Sequence, residues 1–181
     1  MFTDKLEAFP ELKTNRLRLR AMKVSDADDI AKLRSDVTVN RYIDRPEKIT
    51  TKEATDFIEG ITVSIRASRL LYWAINIGSD EKTIGTICIW NISKKDSCAE
   101  IGFELLPEFH GKGLMREALT TVMKYSFETM KLKTLTAWSH PDNKRSIKLL
   151  EKNNFRRDRI REKSTSEAGD LRGMNIYSRN R

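Results

Sequence analysis

Residues 100–118 gather side chains and backbone that can hold and move charge. Glu100 and Glu104 lie four apart in a β-prone run, so both leave one face of a strand with Gly102, while Ile101, Phe103 and Leu105 point to the other. Gly111 and Gly113 follow, flanking Lys112, and open a segment in which Met115, Ala118, Leu119, Val122, Met123, Ser126, Phe127 and Met130 keep helical spacing. A glycine turn at a helix mouth is an anion cradle. The first helical N–H groups have no partner inside the helix, and the aligned peptide dipoles add positive charge. Glycine also lets backbone approach a ligand closely and adopt positive φ. The carboxylates just upstream fit acid–base work or, equally, a structural ion pair or hydrogen bond.

Two well-known phosphate loops do not match. A P-loop needs Lys-Ser or Lys-Thr after its last glycine, where this chain has Leu114 and Met115. A dinucleotide fingerprint needs glycine where Arg116 stands. The remaining choices are an anion cradle of another kind and a strand–helix turn that is glycine-rich for tightness.

The net charge of +8 favours an anionic partner, either nucleic acid or a phosphate-rich small molecule, or simply a solvated basic surface. There is no zinc-finger spacing, no aromatic RNP-type strand and no long basic run, so direct nucleic-acid binding is not expected. Cys88 and Cys98 are too few for a disulfide framework and match no zinc ligand spacing, which makes them buried reduced thiols by expectation. His140 precedes Pro141 without a second ligand at metal spacing, so no metal is expected. No apolar run approaches the roughly 20 residues that span a bilayer, and the opening Met1-Phe-Thr-Asp-Lys-Leu-Glu lacks a secretion signal. A cytoplasmic address follows as an expectation. With 181 residues, 39% hydrophobic and 33% charged, the chain suits one soluble domain, residues 1–181.

These groups need elements to position them. Thr14-Asn-Arg-Leu-Arg-Leu-Arg20 alternates like a half-buried strand, and Ser25-Asp-Ala-Asp28 starts a helix with Ile30, Leu33 and Val37 on its apolar face. Thr50-Thr-Lys-Glu53 reads as a capping box for a second helix through Ala54, Phe57, Ile58, Ile61 and Ile65. Runs 70–77, 83–92 and 98–106, joined by short polar connections, predict consecutive antiparallel strands. Residues 114–130 form the helix after the glycine turn, and Thr134-Leu-Thr-Ala-Trp138 a strand parallel to the one before it. Asn143 caps a further helix that ends at Asn153-Asn154-Phe155. Residues 156–169 are charged and poorly periodic, and 173–178 form a last strand, from which Tyr177 either faces the site or, as the favoured reading, packs inward. The expected fold is α/β (α+β), with a mixed sheet of about six to seven strands and four main helices.

Four segments together resemble the GCN5-related N-acetyltransferase (GNAT) superfamily and, more closely, its RimJ/RimL-like ribosomal-protein N-acetyltransferase branch. They are Leu12-Lys-Thr-Asn-Arg-Leu-Arg-Leu-Arg20, Ala99-Glu-Ile-Gly-Phe103, Pro107-Glu-Phe-His-Gly-Lys-Gly-Leu-Met-Arg-Glu-Ala118 and Asn143-Lys-Arg-Ser-Ile-Lys-Leu-Leu-Glu-Lys-Asn-Asn-Phe155. The resemblance implies splayed central strands and a site for acetyl-CoA. The superfamily motif Q/R-x-x-G-x-G/A falls on His110, Gly111, Lys112, Gly113, Leu114 and Met115, with His110 replacing Gln or Arg and Met115 the last small residue. Since main-chain N–H groups do most of the holding, the coenzyme A pyrophosphate is still expected there, with Lys112 and Arg116 on its outer oxygens. Lys144 and Arg145 are weaker candidates for the same oxygens. The main chain of Glu104 and Leu105 would pair with the pantetheine arm, in room opened by two strands parting after Leu105.

By the same resemblance Glu100 is the candidate general base, Asn143 touches the pantetheine or acetyl end, and Ser146, with a water, protonates the departing thiolate. The tyrosine that many superfamily members use near this place is absent. A thioester arrives activated, so the reaction requires a deprotonated amine and donors for the oxyanion rather than a metal or an enzyme nucleophile. The implied activity is acetyl transfer to a primary amine, such as a (ribosomal) protein N-terminus. The alternatives are a small-molecule amine (polyamine, amino acid or antibiotic) and a catalytically silent ribosome- or RNA-associated module. Residues 38–51, 93–97 and 159–172 would border the acceptor, and a homo-oligomer is compatible with the sequence.

Overall fold

Leucines 17 and 19 lie on the apolar side of the first long strand, and both are buried. In the computed structural model, which describes residues 8–167 and 173–181, that segment forms β1 (Leu12–Lys13) and β2 (Leu17–Ala21), paired antiparallel. Residues 1–7, the opening expected to lack a secretion signal, lie outside the described residues. Arg20, on the polar side of β2, is only 1% exposed, because its guanidinium forks onto both carboxylate oxygens of Asp26 at 2.7 Å. Asp26 is drawn inward by this pair and does not cap the next helix, so a 3₁₀ turn at Val24–Asp26 precedes α1 (Ala27–Ser35).

The helix was expected to carry Val37 on its face, but it ends at Ser35. Asp36 takes an extended conformation there, and its carboxylate accepts the Thr38 and Val39 N–H groups at 2.8 and 2.9 Å, which starts the short α2 (Val37–Asn40) and leaves Val37 exposed. The capping box at Thr50 and Glu53 forms as expected and opens α3 (Thr51–Arg66).

β3 (Leu71–Ile77), β4 (Gly85–Ser93) and β5 (Cys98–Leu105) form the antiparallel meander, followed by α4 (Leu114–Lys124) and the parallel β6 (Thr134–Ser139). The last turns expected of α4 widen at Tyr125–Thr129 into a π-helical segment. Its helical stripe is nonetheless buried through Met130, against the face of the sheet that carries Ile101 and Leu105. Asn143 caps α5 (Lys144–Lys152) by accepting the Ser146 N–H at 3.1 Å, and Asn154, at φ +62°, supplies the left-handed exit. The charged tail, read as irregular, forms β7 (Arg156–Arg157) and α6 (Arg159–Glu167), tied together by an Arg157–Glu162 ion pair at 2.8 Å.

With β8 (Asn175–Asn180) the sheet has eight strands in the order β1-β2-β3-β4-β5-β6-β8-β7, so the edges reach one strand further than expected. Helices α1 and α3 cover the opposite face from α4, over Tyr72 and Ala74, with Cys88 beside them. Among the described residues no helix is long and apolar enough to cross a membrane.

Candidate active site

β5 and β6 are the one parallel pair among the described residues, and they stay together for three residues: Cys98, Ala99 and Glu100 opposite Thr134, Leu135 and Thr136. Beyond that point β5 follows β4 to Leu105 while β6 follows β8 to Ser139, and the two diverge. The strands therefore part after Glu100, earlier than the expected Leu105. Each is held by an antiparallel partner on its outer side, and sheet twist separates them once their own ladder stops. The result is a wedge with Glu100 at its apex.

The main chain along the β5 side of the wedge is set by alternation. The Leu106 N–H donates to the Ile84 carbonyl at 2.9 Å, so Leu106, Glu104 and Gly102 turn their main chain toward β4, and Leu105 and Phe103 turn theirs toward the wedge. Of the two residues expected to pair with an extended ligand, Leu105 has this orientation and Glu104 is committed to β4. In this structure the Leu105 carbonyl accepts from the His110 ring Nε2 at 2.7 Å, and Arg145 Nη1 lies 3.2 Å from His110 Nδ1. A carbonyl only accepts and a guanidinium only donates, so Nε2 carries the proton and Nδ1 the lone pair. His110 thus spans from the end of β5 to the start of α5.

A 3₁₀ turn at Pro107–Phe109 leads into the glycine pair. Gly111 and Gly113 have φ of +75° and +76°, and Gly113 is the N-cap of α4. No atom lies within 4 Å of where a Gly111 Cβ would sit, so conformation rather than space calls for glycine there. Left-handed residues on both sides of Lys112 curl the backbone into a concave nest of N–H groups at the helix start. Leu114 and Met115 are 5% and 8% exposed with side chains in the core, so only their main chain is available at the helix start. Lys112 and Arg116 are exposed at the rim, and the Lys112 ammonium sits 5.4 Å from the Phe109 ring centre.

The carboxylates differ in their surroundings. Glu100, half-buried, accepts from Asn91 Nδ2 at 2.8 Å. Asn91 reaches it because β4 bulges between Trp90 and Ser93, with Asn91 at φ +48°. Glu104 is bound by Arg45 at 2.7 Å, with Arg34 3.8 Å away and stacked on Phe57. Between them Gly102 leaves room for the Trp90 ring, which would stand 2.6 Å from an added Cβ. On the same face, burial pushes the Cys88 thiol and the Tyr72 phenol up, with the negative charge of Glu104 adding to both. Neither is an ionised nucleophile at neutral pH.

Across the wedge, Asn143 spends its side-chain oxygen on the α5 cap, leaving its NH₂ group for other partners, and Ser146 is half-buried one turn on. His140, in the β6–α5 connection, stacks on Tyr42 with ring centres 5.2 Å apart. Tyr177 is 4% exposed and packs in the core as expected. Cys88 and Cys98 are unpaired and half-buried. Among the described residues no group of three His, Cys, Asp or Glu could hold a metal ion. Of the three expected acceptor borders, 168–172 lies outside the described residues.

Arg16, Arg34, Tyr42, Arg45 and Asn91 carry no motif that marks them as site residues. Only Arg16 lies inside a recognisable segment; Asn91 reaches Glu100 across the β4–β5 hairpin, and the other four reach the site through contacts distant in sequence.

Residues 16–156 match the family model described as an acetyltransferase (GNAT) domain. YoaA of Bacillus subtilis (strain 168), an uncharacterized N-acetyltransferase, is 29% identical over 94% of this chain and 96% of its own. A solved putative ribosomal-protein-serine acetyltransferase from Vibrio cholerae superposes with a TM-score of 0.80 at 19% identity, covering 94% of this chain and 97% of that one. RimL, a ribosomal L7/L12 alpha-N-protein acetyltransferase solved with coenzyme A, gives 0.75 at 20% identity, over 92% and 95%. The matched region contains the parted strands, the glycine nest and the capped α5, and the chain belongs to the GNAT acetyltransferase family.

Proposed function

We propose that this single-domain chain transfers the acetyl group of acetyl-CoA to the N-terminal amine of a protein, and that a ribosomal protein is the acceptor. The carrying observation is the wedge between β5 and β6, which ends at the glycine nest. An extended pantetheine arm carries amides that suit the Leu105 main chain once His110 yields its carbonyl, and the nest suits a pyrophosphate. Lys112 and Arg116 are placed for the outer phosphate oxygens. Glu100, at the apex, takes the amine proton as nitrogen bonds to the acetyl carbon. The C–S bond then breaks, and the thiolate takes a proton relayed by Ser146 or a water beside it, which is made good by the proton that Glu100 took and releases through solvent, with Asn143 at the acetyl end. Residues 38–51 and 93–97 border the amine. The protein acceptor rests on the RimJ/RimL-like resemblance, and unpaired cysteines suit a cytoplasmic address.

Calorimetry with acetyl-CoA tests the donor, and absence of binding at millimolar cofactor overturns the reading. Release of coenzyme A thiol is then measured with ribosomal proteins, the same proteins blocked at the N-terminus, and a panel of polyamines, amino acids and aminoglycosides. Turnover of the unblocked proteins alone is expected. Turnover of small amines alone would replace the acceptor. RNA binding without any transfer would favour the silent module.

A further inference from the structure

We propose that Arg16 is a positioning residue for the cofactor pyrophosphate, holding the Lys112–Gly113 peptide so that the Gly113 N–H faces the wedge. This rests on the acetyl-CoA reading of that wedge. Arg16 lies just before β2, and its Nη1 donates to the Lys112 carbonyl at 2.9 Å. No cis peptide occurs among the described residues, and across a trans peptide the C=O and the following N–H point in opposite directions. β2 is separated from β5 by β3 and β4, on the side away from β6. Drawing the Lys112 oxygen toward β2 therefore turns the Gly113 N–H away from it, toward the parted strands.

The need for such a restraint comes from glycine itself. With Gly113 at φ +76° and no Cβ, the preceding peptide can rotate at little steric cost. The rotated form would present a carbonyl oxygen, not an N–H, to the pyrophosphate. Arg16 is suited to prevent this because its guanidinium is fixed at a second point. Nε donates to Glu117 Oε2 at 2.8 Å, Nη2 lies 2.7 Å from the same oxygen, and the Arg16 N–H donates to Oε1 at 3.0 Å. The Thr14 hydroxyl also bonds Oε1. Glu117 stands in the first turn of α4, so the strand, the turn and the helix are fastened at one point.

The test compares two thioesters, acetyl-CoA and S-acetylpantetheine, which lacks the pyrophosphate and nucleotide. Arg16→Met should weaken coenzyme A binding and raise the KM for acetyl-CoA by roughly ten- to a hundredfold, the equivalent of one charge-assisted hydrogen bond. kcat at saturating acetyl-CoA and kcat/KM for S-acetylpantetheine should stay within about twofold of the parent. Equal losses with both thioesters, or no loss with either, overturn the proposal. Arg16→Lys keeps the charge but not the forked geometry, and it also serves if Arg16→Met does not fold. The same selective loss with Lys supports positioning, and full rescue by Lys would mean that charge alone suffices, which overturns it. A parent enzyme that fails to bind coenzyme A refutes the underlying reading instead.

Discussion

Replacing Arg45 by alanine should loosen the acceptor border without touching the donor site. The α2–α3 connection is fastened at two points: Arg45 Nη2 lies 2.7 Å from Glu104 on β5, and Tyr42 stacks on His140 beyond β6. Arg45 Nε also donates to Asn40 Oδ1 at 2.7 Å, and Asn40 in turn donates to the Arg34 carbonyl at 2.7 Å, so the connection is braced against α1. The Arg45 and Glu104 side chains are 7% and 14% exposed, so solvent screens the pair weakly. A hydrogen bond between charged groups in such a place contributes about 1.5–3 kcal/mol. The cost stays below the roughly 3–5 kcal/mol of breaking a buried pair outright, because Glu104 keeps Arg34 at 3.8 Å. The Tyr42–His140 stack, worth about 0.5–1.5 kcal/mol, still holds the other end. The ratio of closed to open connection thus falls roughly ten- to a hundredfold, and the acceptor KM should rise by at least the lower of those factors. Arg45 contacts neither the glycine nest nor Leu105, so coenzyme A affinity should be unchanged. Initial rates of thiol release against acceptor concentration, at saturating acetyl-CoA, measure the first quantity and calorimetry the second. An acceptor KM within twofold of the parent, or a matching loss of coenzyme A affinity, refutes the reasoning.

Glu100→Gln keeps the size of the side chain and an acceptor for Asn91, so turnover at neutral pH should fall about a hundredfold or more, the usual worth of a general base, with coenzyme A affinity kept; unchanged turnover removes Glu100 from the mechanism. Asp26→Asn should cost up to about 3–5 kcal/mol, a fall in Tm of up to roughly 6–20 °C for a chain of this size, because the buried Arg20 guanidinium keeps only the Ala21 and Glu81 carbonyls and the exposed Glu81 carboxylate at 3.8 Å. Desolvation opposes ionisation of Asp26, but the bonds from Arg20, the Lys23 N–H and Thr83 outweigh it and hold the carboxyl below its ordinary value. Its contribution to stability is therefore present above the unfolded pKa of about 3.9 and is lost as pH falls through the lower folded value. Denaturant titrations of parent and variant should converge below about pH 4, and parallel curves down to pH 2 would exclude the pair as the cause.

The backbone of the proposed donor side was legible because its features are local. Positive φ at Gly111 and Gly113 and a cap at Asn143 are local requirements, and each selects a residue type that can be read directly. The same locality makes the meander and the stripe of α4 readable. Legibility fails where a side chain's partner is remote. Asp26 looks like a helix start and is instead the anion for Arg20; Asp36 ends α1 early because its own cap geometry outweighs the apolar periodicity through Val37. The parting of β5 and β6 depends on the twist of a whole sheet, so no residue marks it at Glu100. Arg34 and Arg45 look like ordinary surface cations until the fold brings both to Glu104.

That contrast separates the two carboxylates of β5. Both leave the same face, yet Glu104 is neutralised by two guanidinium groups, whereas Glu100 has an uncharged amide as its hydrogen-bond partner. The arginines take up the Glu104 carboxylate, Arg45 at 2.7 Å and Arg34 at 3.8 Å, whereas Glu100 is bonded to Asn91 at 2.8 Å. Glu100 stands where the β5–β6 ladder stops. Cys88 and Tyr72, the other groups on this face able to act as nucleophiles, are kept protonated by burial and by the charge of Glu104. With both potential nucleophiles held protonated, this face fits the proposed transfer, in which the acyl group arrives activated and the enzyme forms no bond of its own.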